Sequence, residues 1–364
     1  MALRLARREL IGGAAALALP GCATTGGRAT AIAAPSCLPR VNVSADRVIR
    51  TVAGLRPFRP SGYRVAVEPL ADKRIVHNYG HGGAGISLSW GSSREAVALG
   101  LPGHSGPVAV LGAGVMALST ARLVQEAGLP VTLYAEALPP HTTSNIAGGQ
   151  ILAYGHYEED RVDAGFVARS EAAADYTRRR LQIMIGDDYG IRWLPTYDQG
   201  SDGTITTPVP GFPDRRALRP DEHPMPIERV VRYNILYVET GRYLRQMLRD
   251  VQVAGGAVRV RRFATPADVA ALPERLVFNC TGLGAGALFG DTEIMPVRGQ
   301  LAVLLPQPEV QYAYTGRAGY MFPRADGILL GGTYERGEWR AEPDPAAIAR
   351  IVERHRDFQA GWRC

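Results

Sequence analysis

The chain has 364 residues, of which 46% are hydrophobic and 21% charged, and these values are typical of a globular protein with two domains. The net charge is +6, but Lys73 is the single lysine and the arginines are spread along the chain. This distribution argues against a nucleic-acid-binding stripe. It also excludes a GxxxxGK phosphate loop and leaves only Lys73 for a Schiff base. No apolar run reaches the ~18 residues of a membrane-spanning helix.

The N-terminus has the pattern of a targeting segment. Arg4, Arg7 and Arg8 precede an apolar stretch over residues 10–19, and the sequence Leu-Pro-Gly-Cys ends at Cys22. The paired arginines resemble a twin-arginine export signal, and Cys22 resembles the acylated cysteine of bacterial lipoproteins. Cleavage near residues 31–34 is the alternative. We therefore expect residues 1–36 to be a signal and tether, and the protein to be periplasmic or a lipoprotein at the outer membrane or cell surface.

Residues 108–136 have the pattern of a dinucleotide-binding unit. They read VAVLGAGVMALSTARLVQEAGLPVTLYAE, which predicts a strand, a glycine turn, a helix and a second strand ending in an acid. Gly112 permits the tight turn, Gly114 lets the backbone approach a pyrophosphate, and Ala117 allows close helix–strand packing. The helix N-terminus favours phosphate, and Glu136 can accept hydrogen bonds from ribose hydroxyls. This unit alone does not distinguish FAD from NAD.

Four further segments carry a resemblance to a known family. They are HTTSNIAGG (141–149), RLVFNCTGLGAGAL (275–288), VRGQ (297–300) and LLGGTYERGEW (329–339). They resemble the D-amino-acid oxidase family of FAD-dependent oxidoreductases. The resemblance implies FAD as the cofactor, held by Gly112, Gly114, Val115, Met116, Glu136, Thr142, Thr143, Ser144, Gly148, Gly149, Thr281, Gly282, Gly82, Gly85, Ile86 and Ser87.

Two segments that resemble the C-terminal signature of that family stand ahead of the dinucleotide unit. They are RTVAGLRPFRP (50–60) and IVHNYGHGGAGISLSWG (75–91), and the Gly/Pro-rich stretch GLPGHSGP then leads into residue 108. We expect a circular permutation in which this stretch joins the family's usual termini. The linker is short but sufficient for termini that lie on one domain surface.

The expected fold is α/β and circularly permuted, with a doubly wound Rossmann-type FAD-binding domain and a substrate domain built on a mixed or antiparallel sheet. The expected boundaries are 37–100 for the permuted part of the FAD-binding domain, 101–107 for the linker, 108–150 and 238–296 for the rest of that domain, 151–237 and 297–345 for the substrate domain, and 346–364 for a terminal helix that returns to the FAD-binding domain.

The cysteines suggest a link between the ends. Cys280 lies in an apolar run and is expected to be buried. Cys37 and Cys364 stand at the two ends of the mature chain, and export would permit a disulfide between them. We predict that pair, although connectivity cannot be deduced from sequence, and two unrelated cysteines are the alternative.

The resemblance also assigns the substrate site. Arg56 would hold the substrate carboxylate, with Arg59 as the alternative, because a guanidinium grips a carboxylate with two parallel hydrogen bonds. The Tyr320 hydroxyl would bind the same carboxylate, and the Gly83 carbonyl would accept the amine. The family's lid tyrosine has no clear counterpart, since Gly316 falls near its position with Tyr312 and Tyr314 close by. His77 and His81 are four residues apart, but the glycines around them argue against a metal pair, and no metal is expected.

Together these features predict an FAD-dependent oxidase or dehydrogenase that converts D-amino acids to imino and then keto acids. Hydride transfer to the flavin would be followed by reoxidation by oxygen, giving hydrogen peroxide, or by a quinone. The expected partners are a D-amino acid, oxygen or quinone, and a membrane if Cys22 is lipidated. A glycine- or sarcosine-type amine oxidase and a non-catalytic flavin-binding periplasmic protein are the alternatives. The substrate side chain and the oligomeric state stay open.

Overall fold

The fold is built on two β-sheets, and the computed structural model describes residues 37–199 and 212–363. The strands in chain order are β1 (Val48–Phe58), β2 (Arg64–Leu70), β3 (Lys73–Tyr79), β4 (Val108–Leu111), β5 (Val131–Ala135), β6 (Ile191–Asp198), β7 (Arg216–Leu218), β8 (Val230–Val238), β9 (Ala257–Val260), β10 (Leu276–Asn279), β11 (Met295–Leu304), β12 (Ala313–Gly316), β13 (Gly319–Arg324), β14 (Gly327–Gly331) and β15 (Glu335–Arg336). The α-helices are α1 (Gly85–Gly100), α2 (Val115–Glu126), α3 (Thr143–Ile146), α4 (Ala164–Gln182), α5 (Thr240–Val253), α6 (Pro266–Ala270), α7 (Gly284–Phe289) and α8 (Pro345–Ala360).

The first sheet has the order β2-β3-β10-β4-β5-β9. Its strands from β3 to β9 are parallel, and β2 is antiparallel to β3. Both faces are covered: Val108 and Val110 of β4 enter one apolar cluster with α2, and Ala109 and Leu111 enter another with α6 and α7. A parallel sheet must be covered on both faces, which explains why β4 and the first three residues of β10 are continuous apolar runs.

The second sheet has nine strands in the order β1-β11-β14-β13-β12-β6-β8-β7, with β15 paired to β11. Most neighbours are antiparallel, and β12 runs parallel to β6. The α/β fold class with a doubly wound sheet and a mixed sheet is therefore confirmed. From Cys37 onward both sheets belong to a single compact unit.

The chain crosses between the sheets more often than the expected boundaries allow. Within residues 37–100, β1 pairs with β11 in the nine-stranded sheet, and only the part from β2 to α1 joins the six-stranded sheet. Helix α4, from the segment expected to form the substrate domain, packs on α1. The physical reason is that each element buries its apolar face against the nearest complementary one, whichever sheet that belongs to.

The expected return of residues 346–364 to the FAD-binding domain is wrong. Helix α8 packs on β11, β13 and β14, and its residues Ile348, Ile351 and Val352 join the apolar cluster of the nine-stranded sheet. The spacing of three and four residues predicts one buried face but does not say which sheet that face covers.

The described ends of the chain meet. The Trp362 indole donates to the Leu38 carbonyl at 3.0 Å, and the Val41 amide donates to the Gln359 side chain at 3.0 Å. Cys37 is disulfide-bonded, whereas Cys280 is a buried free thiol whose pKa burial raises to about 12. Cys364 lies outside the described residues, so its pairing with Cys37 stays a prediction, as does the interpretation of residues 1–36.

Candidate active site

A first cavity of about 400 Å³ lies at the carboxyl ends of β4, β5 and β10. This is the edge of a doubly wound sheet at which nucleotides bind. Of the predicted cofactor residues, the cavity is lined by Gly82, Gly85, Ile86, Gly112, Gly114, Val115, Met116, Glu136, Thr142, Thr143, Ser144, Thr281 and Gly282.

Gly112 shows why the turn after β4 needs glycine. Its φ is +114°, and a Cβ there would lie 2.7 Å from the Cys280 carbonyl oxygen. Both the backbone conformation and the space exclude a side chain. The chain therefore turns sharply into α2, whose first N–H groups have no partner within the helix.

The N-terminus of α2 faces the cavity. The Val115 amide donates to the Ser144 hydroxyl at 3.0 Å, and a Cβ on Gly114 would lie 3.1 Å from the same oxygen. Free backbone donors and the positive end of the helix dipole together favour a phosphate at this position.

Glu136 follows the end of β5 on the rim of the cavity. Its side chain is exposed and pairs with Arg262 at 3.5 Å, so the carboxylate is accessible to ribose hydroxyls. The bare backbone at Gly112, the helix N-terminus and this acid provide what an adenine dinucleotide requires, and the residues present fit the group.

Three predicted cofactor residues do not line this first cavity. Gly148 and Gly149 line a second one, where the Gly149 carbonyl accepts the Val238 amide at 2.8 Å and thereby ties the loop to β8. Ser87 is buried in α1 and lines neither of the two cavities. Glycine and serine in a helix or a tight loop serve packing as readily as ligand binding, and the sequence does not separate the two roles.

The second cavity, of about 460 Å³, shares Gly82 and Thr143 with the first. It brings together all three residues predicted to contact the substrate: Arg56 from β1, Gly83 before α1 and Tyr320 from β13. They are far apart in sequence, and the pairing of β1 with β11 and of β13 with β14 places them around one space.

Arg56 lies between two glycines. A Cβ on Gly299 would lie 2.6 Å from the guanidinium carbon, and one on Gly83 would lie 3.2 Å from Arg56 Cδ. Its Nη1 donates to the Thr333 carbonyl at 3.4 Å. Any side chain at residue 299 would displace the guanidinium, so glycine at that position holds open the place that Arg56 occupies.

Tyr320 is packed against β14. A Cβ on Gly332 would lie 2.7 Å from its hydroxyl oxygen, and its ring stacks on Phe322 with centroids 5.0 Å apart. Burial raises the pKa of Tyr320, while the nearby Arg56 charge opposes the rise. The hydroxyl therefore stays protonated at neutral pH and can donate a hydrogen bond.

Arg56 is the one charged side chain among the described residues that line the second cavity. No carboxylate within residues 37–199 and 212–363 pairs with it. Its alternative, Arg59, pairs with Asp291 at 2.8 Å and with Glu293 at 2.6 Å. A half-buried guanidinium without a counter-ion favours an anionic ligand, and this distinguishes Arg56 from Arg59.

Sequence reasoning missed several residues of the second cavity, including polar ones. Tyr154 and Tyr334 line it with 69% and 59% of their surface exposed. Gln150 and Thr333 complete this wall, and the Gln150 side-chain nitrogen is buried without a partner. The positions of Gln150 just after Gly149 and of Tyr334 just after the Gly331–Gly332 pair are the signals that would have found them.

The tyrosines considered for the lid lie elsewhere. Tyr312 donates to the Pro39 carbonyl at 2.7 Å, and Tyr314 bonds His355 at 2.6 Å in the core of the nine-stranded sheet. Both are fully buried. Their pairing with distant residues, which no local pattern shows, removes them from the cavity, while Gly316 does line it.

The two histidines considered for a metal lie in separate hydrogen-bond networks. His81 bonds the Ser92 hydroxyl at 2.9 Å and stacks on Tyr63, whereas His77 bonds Glu68 at 3.1 Å. Burial lowers the pKa of His81 to about 3, so it is neutral. Over the described part of the chain, no three His, Cys, Asp or Glu side chains form a possible metal site. Nor is any helix in that part long and apolar enough to cross a membrane.

Comparison with known proteins agrees with this geometry. Residues 107–360 match the family model described as DAO, FAD dependent oxidoreductase. A D-amino-acid oxidase of Streptomyces coelicolor is 31% identical over 268 residues, covering 69% of this chain and 77% of that protein.

Two solved structures share the fold. An iminodiacetate oxidase from Chelativorans has a TM-score of 0.55 at 16% identity, covering 70% of this chain and 79% of its own. A glycine oxidase from Geobacillus kaustophilus has a TM-score of 0.54 at 15% identity, covering 70% of this chain and 78% of its own. The chain belongs to the DAO family of FAD-dependent oxidoreductases, and FAD is its cofactor.

Proposed function

We propose that this protein oxidises D-amino acids with FAD, releasing an imino acid that hydrolyses to a keto acid and ammonia. The observation that carries the proposal is Arg56, which pairs with no carboxylate of the described residues. It is held between Gly83 and Gly299 beside Tyr320, in a cavity that adjoins the cofactor cavity. The 31% identity to a D-amino-acid oxidase supports the same reaction.

The chain's own residues act by binding and orientation. Arg56 and Tyr320 hold the carboxylate with charge-assisted hydrogen bonds, and the Gly83 carbonyl accepts a hydrogen bond from the amine. These contacts fix two substituents of the α-carbon, the carboxylate and the amine. One enantiomer is selected because the side chain must take the space of the second cavity while the hydrogen faces the cofactor. FAD, when bound, supplies the two-electron acceptor for the hydrogen of that carbon.

Proton transfer places a condition on the substrate. No Asp, Glu or His belongs to the described lining of the second cavity, and Tyr320 stays protonated. The described lining thus offers no general base, so the amine gives its proton to solvent before it binds to the Gly83 carbonyl. Activity is therefore expected to rise with pH as the neutral amine becomes available.

The size of the cavity favours a substrate with a side chain over glycine. The cavity of about 460 Å³ has room for a side chain, and Ile146, Leu152 and Leu301 form apolar walls. Arg216 pairs with Glu222, and neither Arg215 nor Arg317 lines this cavity. These three arginines therefore provide no second positive charge to bind an acidic side chain of the substrate.

The reaction is tested with purified, FAD-loaded protein and an oxygen electrode. We expect oxygen uptake and hydrogen peroxide with D-alanine and other D-amino acids, and none with L-alanine. Turnover of glycine or N-methylglycine, but not of D-alanine, would identify a glycine- or sarcosine-type amine oxidase. Flavin that bleaches with D-alanine under anaerobic conditions but reoxidises only with a quinone would identify a dehydrogenase. A flavin that no amine bleaches would contradict catalysis altogether.

We further propose that the family order is permuted. The family match begins at residue 107, while β3 and α1, which precede it, complete the sheet beside β10 and the wall of the cofactor cavity. The contact between Trp362 and Leu38 supports a chain opened at that point.

We also propose export of the folded protein, on the strength of the paired arginines at residues 7 and 8 and the cysteine at residue 22. Cell fractionation of the full chain beside an Arg7→Lys, Arg8→Lys variant tests this. We expect the variant to stay in the cytoplasm, and equal distribution of the two would contradict the proposal.

A further inference from the structure

His77 is fully buried in β3 but lines neither cavity. The acid that it contacts, Glu68, has an exposed side chain. His77 stands at the centre of a chain of hydrogen bonds that runs from the protein surface to the cofactor cavity. The residues of this chain are Glu68 on β2, His77 on β3, Asn279 at the end of β10, and Thr281.

The inner end of this hydrogen-bond chain, at Thr281, determines which atoms donate and which accept. The Thr281 amide and hydroxyl both donate to Asn279 Oδ1, at 3.2 and 2.7 Å. Since a backbone N–H can only donate, Asn279 must turn its oxygen towards Thr281 and its Nδ2 towards His77.

The tautomer of His77 follows from this orientation. Asn279 Nδ2 lies 3.0 Å from His77 Nδ1, so Nδ1 must accept, and the ring proton resides on Nε2. Nε2 then donates to the Glu68 carboxylate at 3.1 Å. All four residues are satisfied only when His77 is neutral with its proton on Nε2.

The inner end of the chain forms part of the cofactor cavity. Thr281 and Gly282 line it, and the Cys280 carbonyl lies against Gly112. The Cys280 amide donates to the carbonyl of Leu111, the residue before Gly112, at 3.0 Å. A shift of residues 280–282 would therefore move the wall that faces the dinucleotide turn.

We propose that His77 is a positioning residue for FAD: in its neutral form it orients Asn279, which holds residues 280–282 against the Gly112 turn. The Thr281 amide and hydroxyl both donate to Asn279, so Thr281 contributes to FAD binding by its position in the wall of the cofactor cavity. The inference concerns the cofactor and does not depend on which amine the protein oxidises.

The surroundings keep His77 neutral at physiological pH. Burial and Arg64 lower the pKa of His77, and Glu68 and Asp291 act against them. The Tyr79 and Phe289 rings also meet the imidazole edge to face, and Tyr79 donates to Asp291 at 2.7 Å.

Protonation of His77 would interrupt this chain of hydrogen bonds. A proton on Nδ1 faces the Asn279 amide donor, and a flipped Asn279 would in turn present its Nδ2 to the Thr281 amide. One hydrogen bond is lost in either arrangement, so FAD is held less tightly when the pH falls below the ordinary range of histidine.

The test compares two substitutions of His77 in the holoenzyme. His77→Phe keeps an aromatic ring but removes the Nδ1 acceptor, which leaves the buried Asn279 Nδ2 donor unpaired. His77→Asn places an amide oxygen near the position of Nδ1 and does not titrate. FAD release is followed by the rise of flavin fluorescence on dilution, across the pH range 4–8.

We expect His77→Phe to weaken FAD binding roughly tenfold at pH 7.5, as the loss of one buried hydrogen bond implies. His77→Asn should retain most of the affinity and lose the acid-dependent weakening that we expect of the natural protein. Glu68→Gln, which still accepts from Nε2, should change FAD release little.

His355→Phe is the matched control, because His355 is also fully buried with two hydrogen bonds but lies against the nine-stranded sheet. It should destabilise the protein without speeding FAD release. Equal FAD release from His77→Phe and His77→Asn would overturn the proposal, and so would acid-dependent release that persists in His77→Asn. If His77→Phe fails to fold, the comparison of the natural protein with His77→Asn across pH still decides it.

Discussion

The two cavities bind their ligands by different means. The cofactor cavity presents mostly backbone: the bare turn at Gly112, the N-terminus of α2 and the segment that Asn279 holds. The second cavity depends on two side chains, Arg56 and Tyr320, set into a wall of glycines. Backbone recognition imposes residue types on the sequence, because only glycine fits. Side-chain recognition instead requires two strands that are distant in sequence, β1 and β13, to come together.

The largest expected effect tests the side-chain cavity. Arg56→Ala should lower kcat/KM by ~2–5 kcal/mol, about thirty- to several-thousandfold, because the substrate carboxylate would be bound without a partner. Steady-state kinetics measures the loss. FAD content should stay at the natural level, since Arg56 does not line the cofactor cavity.

Arg56→Lys is the matched control, and it should recover only part of the activity because an ammonium cannot make two parallel hydrogen bonds. Kinetics unchanged in Arg56→Ala would mean that another residue anchors the substrate.

The next effect tests the backbone cavity. Gly112→Ala should weaken FAD binding by ~1–3 kcal/mol or more, since the new Cβ meets the Cys280 carbonyl and the φ of +114° is strained for alanine. Equilibrium titration of the stripped protein with FAD measures it. Gly103→Ala is the control: its φ is +71°, but no atom lies within 4 Å of the added Cβ and it lines neither cavity. Equal FAD binding by the two variants would contradict the assigned role of the turn.

The last prediction concerns protein stability and tests His355, which lines neither cavity. Burial lowers the pKa of His355 to about 4, so the unfolded chain binds a proton there that the folded chain does not. The free energy of unfolding should therefore fall as the pH drops from about 6.5 towards 4, by at most ~1.4 kcal/mol per pH unit for this residue. Urea unfolding of the natural protein and His355→Asn at several pH values measures it. Identical slopes in the two would rule out His355 as a contributor.

The same contrast explains what the sequence could and could not predict. Gly112 and Glu136 could be identified because a nucleotide turn demands those residue types at that spacing. Arg56, Gly83 and Tyr320 came from family resemblance, and the structure places them around one cavity.

Tyr154 was missed because its place in the cavity wall follows from tertiary packing. The sheet chosen by α8 was missed for the same reason: its apolar face predicts burial, but the partner depends on contacts across the whole chain. Local periodicity identifies which face of an element is buried and leaves its destination undetermined.

The contact between Leu38 and Trp362 has a consequence for the permutation that we propose. When the two described ends of a fold touch, the order of its segments along the chain is separate from their arrangement in space. If the gene encoded the segments in another order, the same strands would pair. The pairings of β1 with β11 and of β3 with β10 do not depend on which partner is synthesised first. The order does decide when the cofactor site is completed: in this chain β3 and α1 leave the ribosome before the dinucleotide turn, and β10 after it.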